Sequence, residues 1–593
     1  MDKEILGKIY KKEVGRWAVS ILLTLILFVI AGSFSERVFF INDDENMLYT
    51  FAGYYTNGQP FEHNFVNYVL GGFFRLMYTL IPSLPWYGIY HVVILYLAVM
   101  IINKTILKVG WKKQLSIWNS ILICIGVYFI VLVYPTLLMQ FTTTATYAGA
   151  AAVALILGED WEKDSKATKI IDGALSILLM LLCYMHRYNT GYVLFCFYAG
   201  TILYQYCKLF FPGKTNTAKR QVINLFVQVL ILVLMLASVI TISTIKRNTD
   251  GWEYFRAYDS ARFKVTDYPH DTIYENPGLY EAIGWNEPLY TLTATGWWFF
   301  MDENVNADTF TAIAETGYFN KDKSTLEDMI NCARTLIRND QTARLTLIFV
   351  LVLIMLVVFN AVTDKNRKEH IWEYLYCLCM TMGMIVLCTY LCYQQRLPLR
   401  AFHTITIPFI VVIVITLIRL KKYKVKEKTM VLKEAVMYVS AIAVIVIVAI
   451  MNLSEIHTLA EERYNKSQRT LMIEEYAIEN PENFYVYDTS LTFRYLPFTV
   501  YTEKYPSNLM FWGGMGWNSP AFFKQLQLNG LDNLYSDVFF KDNVYYITWD
   551  DYVMNDCTMR ERFMSYMELK FPGVKIEQVD SIGNNINVYK FSY

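Results

Sequence analysis

The chain has 593 residues, 55% of them hydrophobic, 16% aromatic and only 18% charged. A soluble protein of this length would carry nearer a quarter charged residues, so an ordinary soluble globule does not fit. The 53 basic residues balance the 53 acidic ones, which leaves no global footprint for nucleic acid.

Apolar runs of about twenty residues, the length that crosses a bilayer, recur along the chain. They lie at roughly 17–40, 84–107, 115–135, 138–157, 170–187, 189–208, 221–245, 344–363, 371–392, 399–419 and 432–452. The pattern predicts a mainly α, polytopic membrane protein with about eleven transmembrane helices. The first run follows a basic stretch, as a signal peptide would. It lacks a small-residue cleavage site and is too long for an h-region, so it reads as an anchor. Most of the cysteines fall in or beside these runs, as buried small hydrophobes do; Cys332 and Cys557 lie in long polar segments and could pair.

Basic residues alternate between the two sets of loops. One set holds Lys3, Lys8, Lys11, Lys12 and Arg16, then Lys104, Lys108, Lys112 and Lys113, then Lys163, Lys166 and Lys169. It continues with Lys208, Lys214, Lys219 and Arg220, with Lys365, Arg367 and Lys368, and with "RLKKYKVKEK" from Arg419. The short loops of the other set hold few, chiefly Arg75, Arg187, Arg396 and Arg400. The N-terminus is expected in the cytoplasm and the C-terminus outside. Outer loops 41–83 and 246–343 then belong to a transmembrane module, 1–452, and residues 453–593 form an outer domain long enough to fold by itself.

In that last piece "LAEERYNKSQRTLMIEEYAIE" and "RERFMSYMELKF" read as helices, while "NFYVYDTS" and "NVYYITWDD" read as strands. "KIEQVDSI" and "INVYKFSY", split by "GNN", read as a hairpin. A small extracytoplasmic α/β domain is expected. "WGGMGW" (Trp512 to Trp517) superficially suggests a nucleotide loop, but it is not set between a strand and a helix with the right glycine spacing, and reads as a turn.

The first outer loop opens with three adjacent carboxylates, Asp43, Asp44 and Glu45, in "FFINDDENMLYTFAGYYTNGQPFEHNF". Helical spacing of apolar residues follows them, and a second amphipathic stretch, "NFVNYVLGGFFRLMYTL", fits a helix lying in the interface. A helix cap is one reading, since Asp at an N-terminus complements the dipole and the free N–H groups. Capping needs one acid, however, and three crowded beside a low-dielectric wall have raised pKa values, which suits a general base.

The arrangement resembles the GT-C glycosyltransferases, polytopic enzymes that use a polyprenyl-phosphate-linked sugar. The likeness rests on a hydrophobic first span, on Asp43, Asp44 and Glu45, and on "AGYYTNGQP" and "PSLPWYG" at the entrance to the second span. It covers roughly residues 1–420 and is nearest to the bacterial branch that builds cell-surface polymers. The resemblance implies that an acid of this loop is the catalytic base, Asp44 first and Asp43 second, with Glu45 matching only part of the family.

Other residues offer supporting chemistry. A lipid-phosphate donor needs cations at the outer edge, because phosphate charge grows as the sugar leaves. "YMHRYNTG" offers His186 and Arg187, and "YQQRLPLRAFH" offers Arg396, Arg400 and His403. Snorkelling to lipid headgroups is the plainer role for such arginines. The four-residue spacing of Arg396 and Arg400 would align them on one helix face if the tenth helix begins early, although Pro398 opposes this. His63 follows the acids, and the acids could supply oxygen ligands to a divalent cation such as Mg²⁺ or Mn²⁺; no metal or other cofactor is required by the sequence. "FTTTATYAG" suits helix packing through small residues. "WEYFRAYDSARFKVTDYP" and "TGWWFF" suit either sugar stacking or an interfacial aromatic belt.

The expected function is therefore an inverting glycosyl transfer in a bacterial cell membrane, from a polyprenyl-phosphate sugar to a glycan, polymer or protein acceptor on the outer face. Glu45, His63, Arg187, Arg396 and Arg400 are the expected substrate contacts. The alternatives are a transporter or flippase of lipid-linked sugars, a polymer polymerase, or an anchored protein whose 453–593 domain binds a partner. Transporters usually bury ionisable groups at mid-membrane and often repeat their halves; here nearly all charge lies at span ends and no repeat is visible.

Overall fold

The computed structural model describes residues 12–160, 164–210, 216–248, 251–296, 302–317, 325–420, 431–491, 494–512 and 516–593. Most of the basic run from Arg419, Lys3, Lys8, Lys11, Lys163 and Lys214, the centre of "WGGMGW" and most of "TGWWFF" lie outside the described residues. Among the described residues eleven helices are long and apolar enough to cross a membrane. They are Glu13–Phe34, Trp86–Lys112, Ile117–Leu137, Phe141–Gly158, Lys166–His186, Tyr188–Phe210, Gln221–Arg247, Gln341–Thr363, Ile371–Tyr393, Leu399–Leu420 and Tyr438–Glu479. The chain is thus mainly helical and polytopic.

The expected spans and the helices agree in number and nearly in bounds, with two clear differences. The first helix ends at Phe34, short of the expected 40, because the chain goes over to a short strand at Val38–Phe39. The last helix does not stop near 452 but runs unbroken to Glu479. The polar stretch "LAEERYNKSQRTLMIEEYAIE" holds no Gly or Pro and is rich in good helix formers, so nothing interrupts the rod until Pro481.

Phe141–Gly158 is the axis of the bundle, and every residue in it is buried. Its run of Ala, Gly and Thr lets four neighbouring helices come close: Trp86–Lys112, Lys166–His186, Tyr188–Phe210 and Leu399–Leu420. At Gly149 an added Cβ would lie 2.5 Å from Leu194 Cγ, so the crossing tolerates no side chain there.

One end of the bundle is tied together by buried ion pairs. Lys104 Nζ lies 2.6 Å from Asp172 Oδ1 and 3.1 Å from Glu13, and Lys108 lies 2.9 Å from Asp172 and 2.8 Å from Asp164. Half-exposed Lys208 pairs with Glu373 at 2.5 Å, and Arg419 joins the two groups by donating to the Glu159 carbonyl at 3.3 Å and to the Tyr204 hydroxyl at 3.4 Å, which itself bonds Glu373. These contacts gather the start of the first span with the loops around 104–113, 160–169, 208 and 373 on one end, the grouping that the loop lysines predict.

At the opposite end two short strands, β1 (Val38–Phe39) and β2 (Leu138–Met139), pair in parallel, Val38 opposite Leu138 and Phe39 opposite Met139. The pairing sets the N-terminus of the acidic helix, Asn42–Ala52, beside that of Phe141–Gly158. The acidic helix ends at Gly53 in the left-handed region (φ 73°), where a Cβ would fall 2.5 Å from the backbone of Gln59. A second short helix, Tyr68–Leu80, then leads to the second span.

Beyond the long last helix lie β3 (Phe484–Tyr487), β4 (Leu509–Phe511), β5 (Val544–Trp549), a short antiparallel pair β6 (Val553–Met554) and β7 (Cys557–Thr558), β8 (Lys575–Gly583) and β9 (Ile586–Ser592). Five of them form one sheet in the order β4-β3-β5-β9-β8, parallel on the β4-β3-β5 side and antiparallel through β9 and β8. One face packs on Ile473 and Ala477 of the long helix. The other carries Val486, Trp512, Phe539 and Phe563 and shares its core with Tyr258, Trp285 and Phe310 of the 246–343 segment.

Among the described residues all ten cysteines are free. The Cys332–Cys557 pairing does not form; Cys332 lies instead beside Cys392, because Leu326–Asn339 lies against the ninth span.

Candidate active site

The three adjacent carboxylates have three different fates. Residues i, i+1 and i+2 on a helix point about 100° apart, so a helix beginning at Asn42 necessarily splays them. None of them caps its own helix, whose N-cap position is Ile41 with no side-chain hydrogen bond.

Asp44 is fully buried and turns toward the neighbouring helix. Its Oδ1 accepts from the Phe141 N–H at 2.9 Å and from the Tyr87 hydroxyl at 3.0 Å, with His91 Nε2 at 3.6 Å. Asp44 therefore satisfies the first free N–H of Phe141–Gly158, a capping role played across space. Burial, and then the Asp43 charge, raise its pKa well above the usual carboxylate range, while Tyr87 and Phe141 oppose the rise.

Glu45 turns the other way, into a buried polar cluster. Glu474 is the hub there: it accepts from Tyr49 at 2.6 Å, Arg494 at 2.9 Å and Tyr501 at 2.5 Å. Both Glu45 oxygens are buried without a well-formed hydrogen bond among the described residues. Burial and then the neighbouring Glu474 carboxylate push the Glu45 pKa well above the usual carboxylate range, which favours its protonated form. A carboxyl whose folded pKa is raised contributes most below the unfolded pKa of about 4.3, and that contribution is lost as pH climbs toward the folded value. Glu45→Gln should therefore melt with the wild type at pH 4 and above it at pH 8. Parallel melting curves at both pH values would mean that Glu45 is ionised in the fold.

Asp43 alone keeps part of its surface open. Its surroundings are charged: burial raises its pKa, and Arg400, Arg187 and Arg262 are the charges that pull it back, while Asp267 adds to the rise. Arg400 sits in the first turn of Leu399–Leu420, and Thr404, one turn on, bonds Thr146 of the buried axis at 3.0 Å. Arg187 occupies the joint between Lys166–His186 and Tyr188–Phe210. Its guanidinium stacks over Phe141 at 4.9 Å and Phe65 at 5.1 Å, two rings that are themselves parallel at 5.7 Å. Among the described residues neither Arg187 nor Arg400 has an ion-pair partner or a side-chain hydrogen bond. Buried polar atoms without partners among the described residues, Asp44 Oδ2, Gln140 Nε2, Thr142 Oγ1 and both His186 nitrogens, belong to residues near Phe141.

Two expected contacts lie elsewhere. Arg396 precedes the tenth helix, which begins at Leu399, so no helical face aligns it with Arg400; Pro398 stops the helix from starting earlier. It is ion-paired with Asp267 at 2.7 Å and stacks on Phe263 and Tyr268, each at 5.3 Å. His63 is buried behind Phe65, its Nδ1 accepting from the Phe65 N–H at 3.3 Å. Burial, Arg247 and Arg187 lower its pKa to about 3, so it is uncharged at neutral pH. Among the described residues no three His, Cys, Asp or Glu side chains could hold a metal ion together. The splay of Asp43, Asp44 and Glu45 is the reason those three do not.

Asp267 and Arg262, which flank Asp43, and the Glu474–Arg494 pair behind Glu45 were not legible as site residues. They come from segments 200 and more residues away, and no local pattern marks them. Comparison of the chain with protein-family models, curated proteins and solved structures finds no match.

Proposed function

We propose that the protein is an integral-membrane, inverting glycosyltransferase of GT-C type, taking its sugar from a polyprenyl-phosphate donor. The observation that supports this best is the pairing of one open carboxylate, Asp43, with two arginines that have no ion-pair partner among the described residues. Asp43 accepts the proton of an acceptor hydroxyl as that oxygen attacks C1 of the sugar. The C1–O bond to phosphate breaks, its electron pair leaves with the phosphate, and Arg187 and Arg400 take up the charge that develops. A phosphate leaves without a proton, so one base suffices. Asp43 is placed ahead of Asp44 because Asp44 is enclosed and already holds the Phe141 N–H.

In this reading the acidic helix and the sheet segment form the extracytoplasmic face of a bacterial cell membrane, and residues 453–593 are an outer α/β domain. The test is release of polyprenyl phosphate from a polyprenyl-phosphate hexose, with formation of a glycosidic bond, by the purified full chain. Flipping of the lipid with no bond formed would place the protein among transporters.

Topology offers a separate check. In a cysteine-depleted background, cysteines at positions 60 and 480 should react with an impermeant reagent in intact cells, and one at position 425 should not. Labelling at 425 alone would put Asp43 in the cytosol, away from an outer-face acceptor.

A further inference from the structure

Three spans meet around a cavity of about 200 Å³: the end of Lys166–His186, the start of Tyr188–Phe210 and the end of Gln221–Arg247. It lies at the same end of the bundle as Asp43, because Arg187, in the joint between the first two helices, is one of the charges acting on Asp43. Tyr184, Tyr188 and Tyr192 form one wall, the Tyr192 ring centroid lying 6.0 Å from that of Tyr184 and 6.3 Å from that of Tyr188. Tyr188, Tyr192 and Ile240 are exposed, so the cavity opens to the flank of the bundle. The seventh span continues away from it with exposed Leu234, Leu230 and Phe226, a surface suited to acyl chains.

Two guanidinium groups, Arg247 and Arg256, line this space, and neither has an ion-pair partner among the described residues. Arg247 Nη2 gives both its hydrogens to backbone carbonyls, those of Asn64 and Val66, each at 2.7 Å. The side chain is thereby fixed, while its Nε and Nη1 have no acceptor among the described residues and are not sealed from solvent. Exposed Arg256 bonds Asn248 and acts on Arg247 as a like charge. Asp259 acts on Arg247 in the opposite sense but is itself paired with Arg262. Snorkelling would carry two such cations apart to separate head groups. Two guanidinium groups held at one cavity call instead for an anion between them. The space is smaller than a site for a whole drug-sized ligand, and a soluble anion would gain nothing from the exposed apolar flank. A lipid phosphate meets every condition: charge for the arginines, a head group that fits, and tails left outside along the seventh span.

We propose that this cavity holds the phosphodiester head group of a glycerophospholipid from the leaflet on the Asp43 side, gripped by Arg247 and Arg256. The site stands whether or not Asp43 serves a glycosyl transfer. Its lipid is distinct from a reacting donor, because the arginines that act most on Asp43 are Arg400, Arg187 and Arg262, none of which lines the cavity. Bound there, the lipid fastens the ends of the fifth, sixth and seventh spans to one another.

The test is a lipid titration of the full chain, purified in a non-ionic detergent, stripped of lipid and read by native mass spectrometry. Dioleoylphosphatidylglycerol should be retained as one tight adduct at concentrations where dioleoylglycerol, which has the same tails and no phosphate, is lost. Arg247→Gln and Arg256→Gln should each weaken that adduct by about tenfold, the scale of one charge-assisted hydrogen bond. Arg247 also holds the 64–66 backbone, so its variant could fail to fold. Arg256→Gln then decides, since Arg256 is exposed and its bond goes to exposed Asn248. Arg256→Lys should recover part of the loss, because charge returns without the guanidinium fork. Equal retention of dioleoylglycerol, or an unchanged adduct in Arg256→Gln, overturns the assignment. Displacement of the lipid by inorganic phosphate at equal concentration would make this a site for a free anion, and displacement by polyprenyl phosphate would give it to the donor; either result also overturns it.

Discussion

Asp43→Asn should fold, reach the membrane and bind donor, yet turn over roughly 10²–10⁴-fold more slowly, the usual loss when a general base is removed. Asn keeps the size of Asp and its place in the first helical turn but cannot accept a proton at neutral pH. Its structural cost is small, because Asp43 caps nothing and makes no hydrogen bond among the described residues. The pH profile adds a second signature. A base must be ionised, and burial raises the Asp43 pKa, so the acid limb of kcat/KM should lie above the ordinary Asp value of about 3.9. Removing Arg400, the largest opposing charge, should move that limb higher still. Asp44→Asn behaves differently. An amide oxygen still accepts from Phe141 and Tyr87, but the amide N–H₂ must be placed where Oδ2 has no partner, so expression and thermal stability should fall with activity. Full turnover in Asp43→Asn with normal expression would remove the reason for placing an active site at Asp43.

The comparison of Asp43 with Asp44 shows what a sequence can carry. Periodicity and run length give the eleven helices, because hydrophobic length and loop charge are local properties. Crowded carboxylates after the first span draw attention to the helical turn that holds Asp43, Asp44 and Glu45. Their separate roles are invisible, because these depend on which surfaces face each residue 100° apart, and those surfaces come from Phe141, Arg187, Arg400 and Glu474, far along the chain. The capping alternative was right in kind and wrong in target: Asp44 serves the helix brought alongside by the β1–β2 pairing, not its own. Arg396 failed for a related reason. Four-residue spacing aligns two side chains only inside a helix, and Pro398 places the helix start after Arg396.

Arg187 and Arg400 should behave as transition-state contacts and differ in how far Lys can replace them. Gln at either position is expected to lower kcat by about 10²–10³, the range seen when one donor to a developing oxyanion is lost. Lys restores the charge without the two parallel hydrogen bonds of a guanidinium, so it should recover part of the rate. At Arg400, whose surroundings offer no stacking partner among the described residues, that recovery reflects charge alone. At Arg187 the guanidinium also lies over the rings of Phe141 and Phe65, contacts that a weakly hydrated guanidinium suits better than an ammonium. Arg187→Lys should therefore recover less than Arg400→Lys, and its remaining deficit should appear in kcat more than in donor KM. Arg396→Gln provides the contrast: Arg396 is already ion-paired with Asp267, so its loss should leave donor KM unchanged. If Gln and Lys are equivalent at both Arg187 and Arg400, the charge of these residues does not act on the leaving phosphate, and they hold the helix ends in place instead.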